Sequence, residues 1–107
     1  MTPTTIYQGT RAPVTMTLTV QQGDSGRDLS TVTAASFSIR CLADRSTTTW
    51  TAALGTQSAT TLVLTHTFDA AGAETTTRGD YRMIARLTVT GGQWQTPPVP
   101  FTIQEAP

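Results

Sequence analysis

Lysine is absent from this 107-residue chain, and cysteine and histidine each occur once, as Cys41 and His66. A single cysteine excludes an intramolecular disulfide and a zinc site built on several thiolates. Charge of either sign is sparse: seven arginines balance seven acids, giving zero net charge with His66 neutral. Such a chain has no general attraction for phosphate, so nucleic acid is not expected as a partner. No apolar run approaches the roughly 20 residues needed to span a bilayer, so a membrane is not expected either. Met1-Thr2-Pro3-Thr4-Thr5 has neither a charged n-region nor an apolar h-region, which argues against classical secretion.

What the chain has is threonine, 25 in 107 residues. The length fits one domain, residues 1–107, with a core that stands without staples. From Pro13 to Gln21, the apolar Val14, Met16, Leu18 and Val20 alternate with Thr15, Thr17 and Thr19. Period two puts the apolar set on one face of a strand and the hydroxyls on the other. Threonine is β-branched and favours that pleated surface over a helix.

The alternation recurs along the chain. Phe37, Ile39 and Cys41 share one phase, as do Trp50, Ala52 and Leu54. Leu62, Leu64, His66 and Phe68 share another, followed by Tyr81, Met83, Ala85, Leu87 and Val89, and by Val99, Phe101 and Ile103. With a short leading strand near Thr4 to Gln8, about seven strands are expected. The fold class implied is all-β, an immunoglobulin-like antiparallel sandwich.

Turn chemistry separates the strands. Gly91-Gly92 marks a tight hairpin, because glycine tolerates positive φ. Asp44-Arg45-Ser46 is a short polar connection, and Gln21 to Asp28 reads as a surface loop. Asp69 to Glu74 predicts one helical turn capped by the Asp69 carboxylate. Pro97, Pro98 and Pro100 restrict pairing at the start of the last strand and point to an edge, a crossing between sheets or a bulge.

Candidate chemistry is thin. His66 has no ligand-spaced companion and reads as a half-buried strand histidine at the sandwich end. Cys41 shares the inward phase of its strand and reads as a small buried hydrophobe rather than a reactive thiol. Asp24 and Asp28 share a loop but lack the repeated acidic spacing of a calcium site. No Gly-x-Ser-x-Gly elbow, phosphate-cradling loop or evident acid–base pair is present. No enzyme activity, metal or other cofactor is therefore expected.

Four residues are candidates for partner binding: Tyr7, Arg82, Arg86 and Trp94. Arg82 and Arg86 share the outward phase of one strand, with Cα atoms about 13 Å apart. They suit acidic groups on a partner, or simply solvate a sheet face and discourage aggregation. Trp50 is in phase with Ala52 and Leu54 and is expected in the core. Trp94, between Gln93 and Gln95, suits either the interior or a surface anchor.

Several short motifs taken in order carry a resemblance. They are Ile6-Tyr7-Gln8-Gly9, the run Val14 to Val20, Asp28-Leu29-Ser30-Thr31-Val32, Gly79-Asp80-Tyr81-Arg82, the Gly-Gly turn and Pro100-Phe101-Thr102-Ile103. The chain resembles the small immunoglobulin-like domains of tailed-bacteriophage virion proteins, notably the N-terminal domain of baseplate upper proteins. Those proteins carry further segments after the domain. On the resemblance, a chain stopping at Gln104-Glu105-Ala106-Pro107 is expected to act alone, as an assembly or decoration piece.

The resemblance implies a non-enzymatic structural protein of a virion, made in the host cytoplasm without a signal peptide. Its place would be the tail, baseplate or neck. Its partners would be other virion proteins and copies of itself, met through sheet edges and loops. Capsid decoration or a head fibre is the close alternative. A module for a carbohydrate or other host-surface ligand is the rival from another class, with Trp94, Tyr7, Gln93 and Gln95 as its only candidate contacts.

Overall fold

Alternating apolar and hydroxyl residues build eight strands in the computed structural model, which describes residues 4–23 and 26–105. They are β1 (Thr4–Tyr7), β2 (Thr15–Gln21), β3 (Ala34–Cys41), β4 (Thr47–Gln57), β5 (Thr61–Thr67), β6 (Gly79–Val89), β7 (Gly92–Gln95) and β8 (Val99–Gln104). The only helical pieces among the described residues are two 3-10 turns, Leu29–Thr31 and Ala73–Thr75. The expected all-β fold is the one observed.

The strands follow the order β1-β8-β6-β3-β4-β5-β2, with β7 also on β6. One strand joins the two layers. Thr47 to Ala52 of β4 pair with β3, whereas Ala53, Leu54 and Gln57 pair with β5 across a bulge. The sheet therefore curls over itself and folds its inward faces together. Two details differ from expectation. The β1–β8 pair is parallel, so the sheet is mixed rather than wholly antiparallel. The eighth strand arises because β7 and β8 share the same edge of β6, at Arg86–Val89 and Gly79–Met83. Between them Thr96 bonds both backbone groups of Ala85, and Pro97 and Pro98 break the ladder.

The core follows the period-two phases. Phe37, Leu62, Leu64 and Ala85 are wholly buried, with Ile39, Cys41, Trp50, Met83, Phe101 and Ile103 nearly so. Trp50 stacks on His66 at 4.8 Å between ring centroids and meets Phe68 edge-on at 5.4 Å. Tyr81, near the start of β6, donates its hydroxyl to the Thr77 carbonyl four residues upstream, at 2.6 Å. This is the tyrosine corner of β-sandwiches.

On β2 the expected inward face is only partly realised. Met16 is buried, Leu18 and Val20 are half-buried, and Val14, which the strand leaves out at its start, is exposed. The reason is topological: β2 ends the strand order, so no strand among the described residues pairs with its outer edge. The loop before β3 does more than expected. Asp28 accepts from the Ser30 amide, and the turn it caps plugs Leu29 and Val32 into the core. Gln57 donates to the carbonyls of both Leu29 and Val32, at 2.8 and 2.7 Å.

Candidate functional site

Because β4 curls the sheet, its two terminal strands, β1 and β2, approach each other without pairing. They leave an open seam. The upper part is a groove of about 560 Å³ whose apolar lining includes Leu18, Val20, Leu29, Leu87, Trp94 and Val99. The lower part, of about 370 Å³, is bordered by Tyr7, Val14, Met16 and Phe101, and shares Leu18 and Val99 with the upper. Among the described residues β2 bonds β5 on one side and no strand on the other, so its outer backbone groups face this seam.

The four candidate contact residues fall in three places. Tyr7, at the end of β1, is 45% exposed on the rim of the lower hollow. Trp94 sits on β7 in the upper groove, half-buried, with the Arg27 guanidinium 5.1 Å over its ring. This placement resolves the open choice for Trp94, which is neither fully interior nor a free surface anchor. Arg82 and Arg86 point outward from β6 on the opposite face of the sheet. The structure thus brings Tyr7 and Trp94 to one seam and leaves the arginine pair elsewhere.

His66 is 2% exposed, not half-buried. Its Nδ1 lies 2.7 Å from the Thr51 carbonyl and its Nε2 lies 2.9 Å from Glu74 Oε1. A carbonyl only accepts, so Nδ1 carries a proton and donates. Both ring nitrogens are committed to the fold, and neither opens onto a substrate. Glu74 also borders a third hollow, with Cys41, Asp44 and Tyr81, but His66 does not. In that hollow burial raises the Tyr81 hydroxyl to about 12, helped by a bond with Cys41 and the charge of Asp44. The Ser46 hydroxyl and amide hold Asp44 below the usual carboxylate range.

Among the described residues no three histidine, cysteine or acidic side chains converge as a metal group. Asp24, one half of the calcium reading, lies outside the described residues. No helix among the described residues is long and apolar enough to cross a membrane.

No family model matches the chain, and no curated protein matches it either. The site rests on its geometry.

Sequence reasoning missed three parts of this region. The seam depends on how β4 curls the sheet, which no local pattern encodes. Stacking of Arg27 on Trp94 joins residues 67 positions apart and leaves no spacing signal. The Glu74 partner of His66 had one usable clue: it lies in the turn after Asp69, next to the strand carrying the histidine.

Proposed function

We propose that the protein is a non-enzymatic structural component of a tailed-phage virion, in the tail, baseplate or neck, binding neighbouring virion proteins and copies of itself. One observation carries the reading: an apolar seam bordered by an unpaired strand edge. An extended segment from a neighbour would add to β2 through main-chain hydrogen bonds and seat alternate side chains on Leu18, Val20 and Trp94. The tyrosine corner at Tyr81 supports the resemblance to immunoglobulin-like virion domains. The internal commitments of His66 support a role without catalysis.

The test is to image particles from a producing culture with an antibody against this chain. Label on the tail, baseplate or neck is expected. Label on the capsid would favour the decoration or head-fibre alternative, and unlabelled particles would overturn the virion reading.

A second reading, a carbohydrate module, draws on Trp94 and Gln95 lining one groove. Arg27 over the indole occupies a ring face on which a sugar would stack. A glycan array with a Trp94→Ala control separates the two: glycan binding that this change abolishes would favour the module.

A further inference from the structure

The outer face of the sheet formed by β4, β3, β6 and β8 holds a cluster of cations that nothing in the seam uses. Arg40 on β3 lies directly opposite Arg82 on β6, and Arg86 follows Arg82 by four residues in the same outward phase. All three are exposed. Cross-strand neighbours of this kind stand about 5 Å apart at Cα, and Arg82 and Arg86 about 13 Å.

The rest of the face is hydroxyl-rich. Ser38 and Ser36 face Ile84 and Arg86 on one side, and Thr49 and Thr51 of β4 on the other. Its one acid among the described residues is Asp80 at the end of the same β6 phase, which accepts from the Thr102 hydroxyl. The ion pairs among the described residues, His66–Glu74 and Arg78–Glu105, involve none of the three arginines. Two like charges facing each other across a ladder destabilise the free domain. A chain of zero net charge thus carries three of its seven cations on one surface.

We infer that this face docks an acidic protein surface, specifically one presenting carboxylates about 13 Å apart, as positions i and i+4 of an extended strand do. A guanidinium fork donates two parallel hydrogen bonds to a carboxylate, and the flanking serine and threonine hydroxyls donate further ones. Three cations offset by Asp80, on a chain of zero net charge, make too weak a field to hold a nucleic-acid backbone. The inference concerns a face apart from the seam and does not depend on the virion reading.

The experiment titrates poly-L-glutamate of about 20 residues into the ¹⁵N-labelled full chain at low salt, with a DNA duplex of similar length in a parallel arm. Poly-glutamate is expected to shift the amides of residues 36, 38, 40, 82, 84 and 86, with affinity falling at least tenfold in the Arg82→Gln/Arg86→Gln double variant. Arg78→Gln, off this face, is expected to leave affinity within twofold. Shifts centred elsewhere, an equal loss with Arg78→Gln, or tighter binding of the duplex overturns the inference. Shifts at these amides that depend on protein concentration without the probe assign the face to a second copy and overturn it as well. A measurement without ligand guards against misfolded variants. Arg40→Gln is expected to raise the low-salt melting temperature by about 3 °C, and an unchanged or lower value contradicts the opposition of charges on which the inference stands.

Discussion

His66 Nε2 and the backbone amide of Asp69 both meet the same oxygen, Glu74 Oε1, each at 2.9 Å. With Nδ1 already donating to Thr51, one further proton must lie between Nε2 and that oxygen. Either an imidazolium faces a carboxylate or a neutral ring faces the acid. In both forms the contact ties β5 to the turn that leads into β6, beneath the Trp50 ring.

Removing one member strands the other in a buried site. Glu74→Ala is expected to lower stability by about 3 kcal/mol, the low end for a buried pair because Glu74 is 24% exposed. Urea denaturation followed by tryptophan fluorescence measures it. A loss below about 1 kcal/mol would reduce the pair to an ordinary surface contact.

Two facing leucines on one ladder are predicted to differ. Leu64 on β5 is wholly buried, and its partner Leu18 on β2 is half-buried along the open seam. Leu64→Ala is expected to cost about 3–5 kcal/mol through the cavity it leaves. Leu18→Ala is expected to cost about 1–2 kcal/mol, because the methyl groups removed are already partly wet. Equal costs in chemical denaturation would mean that the seam is closed in solution.

Gly72 adopts φ +73°, and a Cβ there would sit 3.0 Å from the Gly9 carbonyl oxygen. Gly72→Ala thus adds a clash to the cost of left-handed backbone, which is about 1–2 kcal/mol. Gly26, at φ +70° with open space around it, supplies the control. The Gly72 variant is expected to melt below the Gly26→Ala variant, and the reverse order would place the 9–72 approach elsewhere.

Acid and base limits have opposite signs. Asp28, Asp44 and Asp69 are all held below the usual carboxylate value of 3.8, by Ser30, by Ser46, and by the amides of Ala73 and Glu74 respectively. A lowered folded value gives stability that is fully present above the unfolded value near 3.8 and lost as pH falls through the lowered ones. Stability is thus expected to decline below about pH 4. Tyr81 is raised from 10.0 to about 12. Its contribution is complete below pH 10 and is lost as pH rises through about 12. Denaturation midpoints across pH, with phenolate absorbance for Tyr81, check both limits.

Strand positions were legible in the sequence because side-chain period two is local: Phe37, Ile39 and Cys41 are buried in the expected phase. The Gly91 turn and the Asp69 carboxylate bonds to Ala73 and Glu74 were legible for the same reason, since each needs only a few adjacent residues. The exposed Val14 and half-buried Leu18 were not. Their pattern matches that of a central strand, and only the strand order puts β2 at an open border. Trp94 likewise could not be assigned before the prolines after it were seen to split one edge into β7 and β8.

The parallel ladder between β1 and β8 sets how the domain carries load. Thr4 lies beside Phe101 and Tyr7 beside Gln104, so tension applied across residues 4 and 104 pulls the two strands past each other lengthwise. Every hydrogen bond in that ladder then bears force together, in shear, rather than parting singly as in an unzipping hairpin.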